Sequence, residues 1–172
     1  IKIEQRGVGD PGRGFTTIMG LPTRSVTRNF YFEANNRNKK SLALDLKKPQ
    51  AQEVLYRLVE KSDVFVHNFR QGVPERLGLG YDTLRQHNPR LIYACASGYG
   101  PEGPESNRPS LDAVGVARTG FMETCTPPGH PPVYLAGGIA DQIGAIMLAY
   151  GILAALVVRE RQGIGQKIDV SH

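Results

Sequence analysis

Asp141 stands just ahead of sixteen consecutive uncharged residues, 143–158, and a carboxylate in that position supports two kinds of chemistry. At the start of a helix it is an N-cap, its oxygen accepting backbone N–H groups. The helix dipole also keeps it ionised, and an ionised carboxylate can act as a nucleophile. A second group, Asn68-Phe69-Arg70, follows the apolar run Val64-Phe65-Val66 and falls at the C-terminal end of a short strand. Open α/β sheets bind ligands at that edge, where an Asn can hydrogen-bond a base and a Phe can stack on one. Basic residues gather in Arg37-Asn38-Lys39-Lys40 and in Lys47-Lys48, near the two ends of another strand, and form either a solvated rim or an anion-binding surface.

Other patterns point to less. Gly7-Val8-Gly9-Asp10-Pro11-Gly12 and Gly98-Tyr99-Gly100-Pro101-Glu102-Gly103 both spell G-x-G-x-x-G. A dinucleotide fingerprint needs its third glycine to open a helix, and neither segment runs on into a helical pattern, so turn chemistry accounts for both. The histidines, His67, His87, His130 and His172, have no i, i+4 partner and no HExxH context, which argues against a metal site. No GxSxG elbow or P-loop occurs. Cys95 and Cys125 are far apart and outside any CxxC, which fits a reducing compartment better than a disulfide framework.

The elements that must position these groups follow from periodicity. Residues 1–4 alternate as a strand, as do 41–46, and Lys47-Lys48-Pro49 leads into a helix over 49–62 with Val54, Leu55, Leu58 and Val59 on one face. Strands follow at 64–66 and 91–96, with short helices at 73–77 and 81–87 between them. A loop rich in Gly and Pro, 98–109, precedes a helix over 110–123, and the uncharged stretch 143–158 forms a long helix stopped at Gly163 after a basic last turn. Sixteen apolar residues thinned by Gly144 and Gly151 fall short of the roughly twenty a bilayer needs, so a buried core helix is expected. Residues 167–172 close the chain as a strand. Alternating strands and helices define an α/β class with a largely parallel sheet.

With 172 residues, 40% hydrophobic and 22% charged, the chain has the composition of a single globular domain, which excludes disordered and fibrous classes. Twenty-one Lys and Arg against sixteen Asp and Glu leave a net charge of +5, which favours anionic partners.

Ile1-Lys2-Ile3-Glu4, Asn38-Lys39-Lys40-Ser41 with Leu44-Asp45-Leu46-Lys47, Asn68-Phe69-Arg70-Gln71-Gly72, Glu75-Arg76-Leu77-Gly78, Asn88-Pro89-Arg90-Leu91, Ser97-Gly98-Tyr99-Gly100, Ile139-Ala140-Asp141 and Gly163-Ile164-Gly165-Gln166, taken in this order and spacing, resemble the class III CoA-transferase family, which includes formyl-CoA and carnitine CoA-transferases and the related alpha-methylacyl-CoA racemases. The resemblance implies an α/β fold with a Rossmann-like, largely parallel sheet flanked by helices, a smaller second domain, and two chains interlaced like links. It also implies that residues 1–172 are part of a CoA-binding large domain, truncated at both ends, beginning at the family's second strand and lacking the second domain with its glycine-rich loop. The opening on Ile1 and the ending within a strand fit that expectation.

The resemblance places the family's catalytic aspartate at Asp141 and its CoA contacts at Leu44, Asp45, Leu46, Lys47, Asn68, Phe69 and Arg76. Formyl-CoA transferases carry an Arg directly after the first strand's Glu; Gln5 stands there, and Arg6 is the candidate substitute. A lysine they place near the adenosine phosphates falls on Pro109. The implied reaction moves CoA between an acyl-CoA thioester and a carboxylic acid through an aspartyl-acyl anhydride. Coenzyme A and acyl-CoA are expected as substrates and a homo-oligomer in the cytoplasm as the working form, with no metal, nucleic acid or membrane. The racemase branch needs a His before the aspartate that matches Asp112, and Leu111 there favours a transferase. A noncatalytic CoA-binding or interaction module is a different reading. A nucleic-acid binder rests on charge alone, without a clustered basic and aromatic stripe.

Overall fold

The computed structural model describes residues 1–18, 21–22, 29–134 and 137–171, so that His172 lies outside them. The chain forms two compact units, Ile1–Gln52 and Glu53–His172.

In the first unit, β1 (Lys2–Gln5) is followed by a one-turn 3-10 helix at Pro11–Gly14, a two-residue hairpin of β2 (Thr17–Ile18) and β3 (Leu21–Pro22), α1 (Phe30–Asn36) and β4 (Ser41–Leu44). β1 and β4 run parallel, with Lys2 opposite Ser41 and Gln5 opposite Leu44. Glu4 is the polar hub of this unit. Buried on β1, it accepts from Arg13 Nε at 3.0 Å and Nη2 at 2.8 Å, from Ser41 Oγ at 2.8 Å and from the Asp10 N–H at 3.0 Å. These donors, the Arg13 guanidinium first, hold its carboxyl down at about 2 against the usual 4.5. The first G-x-G-x-x-G segment is turn chemistry, as expected, with Asp10 capping the one-turn helix through the Gly12 N–H at 2.6 Å. Periodicity did not foreshadow α1; Asn29 caps it and also donates to the Gly12 and Phe15 carbonyls at 2.8 and 2.9 Å.

α2 (Pro49–Val59) leads from the first unit into the second, which continues with β5 (Val64–His67), α3 (Val73–Arg76), α4 (Tyr81–His87), β6 (Ile92–Ser97), α5 (Asp112–Arg118), α6 (Phe121–Thr124), α7 (Ile139–Gln162) and β7 (Gln166–Ser171). Of the apolar face expected on α2, Leu55 and Val59 are buried and Val54 is exposed. Each buried aliphatic side chain of this kind contributes about 1.5–3 kcal/mol. β5, β6 and β7 form a parallel sheet in that order, with Val64 opposite Ile92 and Ile92 opposite Gln166. The period of two sorts the faces, placing Phe65, His67, Tyr93, Cys95, Lys167 and Asp169 on one and Ala94 and Ile168 on the other.

Two helix expectations need correction. The helix expected over 110–123 is broken into α5 and α6 at Gly120, whose φ of 74° is left-handed. The long helix is not a buried core helix. Gly144, Leu148, Ala155 and Arg159 are buried along one stripe, and Gly151 comes so close to the sheet that an added Cβ would lie 3.0 Å from Ile168. Ile143, Ile146, Met147, Tyr150, Leu153 and Val157 are exposed on the helix. The helix is pinned near its C-terminus, where the buried Arg159 guanidinium meets Asp63 Oδ1 at 3.0 Å and Gly163 closes the turn at φ 77°.

Candidate functional site

Beyond the C-terminal ends of β5 and β6 lies a cleft of about 270 Å³, at the edge where parallel sheets bind ligands. Its lining includes Asn68, Phe69, Tyr81, Cys95, Lys167 and Asp169. His67, also in the lining, is 9% exposed and accepts the Phe69 N–H at Nδ1 over 3.1 Å. The ring proton therefore sits on Nε2, which has no hydrogen-bond partner among the described residues. Burial keeps the imidazole neutral by pushing its pKa below the usual value. His67 stacks on Phe69 at 5.5 Å and meets Tyr93 edge-on at 5.1 Å, so the Phe69 ring is held in place rather than left to swing in solvent. Tyr93 is in turn tied down by donating to the Leu79 carbonyl at 3.0 Å. Burial, followed by the Asp169 charge, pushes the Cys95 thiol up to about 11, so it is not a thiolate nucleophile.

The cleft also carries cations. Arg70, Arg108 and Lys167 line it, Arg108 pairing with Glu105 at 2.8 Å and Lys167 with Asp169 at 3.3 Å. Pro109 brings no charge, while its neighbour Arg108 is among the residues lining the cleft.

Asp141 lies elsewhere in the second unit, at the start of α7 and outside the lining of that cleft. The helix begins earlier than the apolar run suggested. Gly138 is its N-cap, at φ 71° and without a side chain, so Asp141 is an exposed first-turn residue and not the cap. Its N–H, one of the orphan donors of a helix start, is bound by Asp112 Oδ1 at 2.9 Å. Asp112, buried at the start of α5, accepts the Tyr134 hydroxyl on its other oxygen. That hydrogen bond, with burial and the nearby Asp112 and Asp141 charges, pushes the Tyr134 phenol up to about 12.

The other residues singled out in the sequence take the following places. Asn68 and Phe69 line the cleft; Arg76, exposed on α3, does not, and its Nη1 lies 3.4 Å from where a Gly72 Cβ would stand. In the first unit the pairing of Gln5 with Leu44 puts Arg6, Asp45, Leu46 and Lys47 just past the same end of the two strands. There Asp45 accepts the Lys47 N–H at 3.1 Å in a local turn. Sequence reasoning missed His67 as a buried support for Phe69, and missed Asp112 and Tyr134 as supports for Asp141. The 29 residues separating Asp112 from Asp141 carry no periodic signal that could have joined them. Among the described residues no group of three or more His, Cys, Asp or Glu is placed to hold a metal ion.

A sequence profile described as CoA-transferase family III matches residues 1–172. Curated relatives include an acyl-CoA transferase of Fusarium pseudograminearum, 42% identical over 99% of this chain and 38% of its own length. An acetyl-CoA:oxalate CoA-transferase of Acetobacter aceti is 40% identical over 99% of this chain and 43% of its own. Among solved structures, a CAIB/BAIF family protein from Brucella suis superposes with a TM-score of 0.89 at 32% identity, covering 99% of this chain and 44% of that one. Rv3272 from Mycobacterium tuberculosis gives 0.87 at 39%, covering 99% and 46%. The chain thus spans about two-fifths of the length of the curated relatives it matches. With a family profile matched from the first residue to the last and solved relatives sharing the arrangement of parallel strands and helices, the chain belongs to CoA-transferase family III.

Proposed function

We propose that this protein transfers CoA from an acyl-CoA thioester to a carboxylic acid, with Asp141 as the nucleophile. The observation that carries the reading is the placement of Asp141: an exposed carboxylate in the first turn of a 24-residue helix, where the helix dipole favours the anion. In the proposed reaction a carboxylate oxygen of Asp141 attacks the thioester carbonyl carbon. The C–S bond breaks, CoA leaves as the thiolate, and the acyl group remains on the enzyme as a mixed anhydride. The thiolate then attacks the aspartyl carbonyl carbon, expelling the first acid and leaving CoA on Asp141 as a thioester. The acceptor carboxylate displaces the thiolate from that carbon to form a new anhydride. Attack of the thiolate on the acceptor's acyl carbon gives the new CoA thioester and frees Asp141, so one thioester is consumed and one is formed. Keeping the acyl group on the enzyme preserves thioester energy that water would dissipate, which requires a shielded site.

The CoA contacts proposed for the first unit are Arg6, Leu44, Asp45, Leu46 and Lys47; for the second they are Asn68, Phe69 and Arg76. Support for Asn68 and Phe69 comes from the cleft they line, whose buried aromatic support and flanking cations suit a flat base and phosphates; Arg76, outside that lining, rests on the family resemblance. The relatives named above as CoA-transferases support the reaction class. Leu111 ahead of Asp112 leaves the racemase reading without its histidine. A cytoplasmic homo-oligomer remains the proposed working form.

Exchange of a labelled carboxylic acid into an acyl-CoA, catalysed by the full-length protein, tests the reading. Asp141→Ala should abolish exchange and leave CoA binding by titration calorimetry intact, and hydroxylamine should release the acyl group of the parent enzyme from Asp141. Exchange at the parent rate in Asp141→Ala would refute the mechanism.

A further inference from the structure

Helix α7 starts without a cap of its own. Gly138 offers no side-chain oxygen, yet the N–H of Asp141 is satisfied, because Asp112 reaches it from the start of a different helix. Asp112 is buried, and its two oxygens are assigned separate tasks: Oδ1 takes the Asp141 N–H at 2.9 Å, and Oδ2 takes the Tyr134 hydroxyl. A Cβ added at Gly138 would lie 3.8 Å from Asp141 Cβ and 4.0 Å from both Asp112 Oδ1 and Asp141 Oδ2, so the two carboxylates flank one glycine. The left-handed turn at Gly138, a backbone conformation that side-chain-bearing residues rarely adopt, is where the chain turns into the helix beside both acids.

We propose that Asp112 and Tyr134 are a positioning pair for Asp141, capping α7 from outside the helix and so fixing the backbone from which the nucleophilic carboxylate projects. The idea rests on Asp141 being the nucleophile. With no side-chain cap at Gly138, the N–H groups of the first turn would be left without partners and the turn prone to fray, carrying its side chains with it. A cap anchored in α5 ties the first turn of α7 to a packed neighbour. Tyr134 restricts the Asp112 carboxylate to one rotation and, by donating a proton, keeps it an acceptor for the N–H of Asp141. Neither Asp112 nor Tyr134 is required to touch substrate in this scheme.

The test uses the full-length protein and three variants: Asp112→Ala, Asp112→Asn and Tyr134→Phe. Misplacing a nucleophile by about 1 Å costs about 100-fold, so Asp112→Ala should lower kcat by about 10- to 100-fold, with KM for acyl-CoA within about threefold of the parent. Asp112→Asn, which keeps an acceptor oxygen in nearly the same shape, should recover most of the loss, and Tyr134→Phe should fall between parent and Asp112→Ala. In amide exchange measured by NMR, the Asp141 N–H should lose protection in Asp112→Ala and retain it in Asp112→Asn. Parent-like kcat in Asp112→Ala would overturn the proposal, as would a loss that Asp112→Asn fails to rescue, or one carried equally by KM. Acyl label trapped on Asp141 of the parent separates the two ideas. If the label is present and Asp112→Ala turns over normally, only the positioning role fails; if no label is found on Asp141, the nucleophile fails and the positioning role goes with it.

Discussion

Gly165 sits where β7 enters the sheet, and replacing it with alanine should damage the cleft from a distance. A Cβ built on Gly165 would stand 2.4 Å from the Leu91 carbonyl oxygen, 2.7 Å from the Arg90 carbonyl carbon and 2.7 Å from the Pro89 oxygen, all backbone atoms that no side-chain rotation can move aside. The Gly165 N–H also donates to the Pro89 carbonyl at 3.1 Å. Overpacking of this kind costs about 1–3 kcal/mol, and displacing the loop forfeits a hydrogen bond worth about 1 kcal/mol. Against this, alanine restricts the unfolded chain by about 0.4–1 kcal/mol. The balance is a destabilisation of about 1–3.5 kcal/mol, or a fall in Tm of about 2–14 °C for a chain of this size. Urea titration followed by circular dichroism measures it, with Gly14→Ala as the control, since a Cβ there meets nothing within 4 Å. Because Lys167 and Asp169 follow directly on β7 and line the cleft, CoA affinity should fall as well. A Gly165→Ala protein as stable as its parent would refute the close-approach argument.

Two further outcomes follow from the electrostatics. Glu4 holds its proton less tightly when folded, at about 2, than in the unfolded chain at 4.5, so its contribution to stability is complete above about pH 4.5 and is lost as pH falls through about 2. The stability gap between parent and Glu4→Gln should therefore be widest above pH 4.5 and narrow toward pH 2 in acid titrations followed by urea unfolding; a gap independent of pH would contradict the Arg13 and Ser41 assignment. Iodoacetamide at neutral pH should alkylate exposed Cys125 well before half-buried Cys95, whose thiol is held near 11, and peptide mass spectrometry that found Cys95 modified first would show its environment misjudged.

Much of the second unit could be read from the residues because its elements announce themselves locally. The apolar runs of β5 and β6 and the basic turn ahead of Gly163 are each decided within a few neighbours, as is the alternation before Lys47 in the first unit. What escaped was decided by distant groups. α1 is seven residues rich in aromatics and asparagine, a composition of modest helix propensity, and its cap Asn29 is braced on carbonyls up to 17 residues away. The break at Gly120 and the early start at Gly138 both depend on left-handed glycines, which a pattern of apolar spacing does not register. The candidate site divides the same way. Asp141, Asn68 and Phe69 stand at element ends that periodicity locates, whereas Asp112, Tyr134 and His67 matter only through partners that the folded chain brings to them.

The order of strands in the three-stranded sheet has a consequence for how the chain is made. β6 occupies the middle, yet one of its two neighbours, β7, follows it only after the intervening residues 98–165. During synthesis β6 therefore emerges long before that partner, and one edge of its backbone must wait unpaired while the loops and α7 are still being added. Closing so long a segment costs only logarithmically more than closing a short one, but the cost falls before any pairing rewards it. Synthesis should thus pass through a period in which an apolar strand presents an open edge, when chaperone engagement or pairing between nascent chains competes with native closure. Variants that slow the docking of α7 or the turn at Gly163 would lengthen that period and should lower soluble yield even where the finished protein is as stable as its parent.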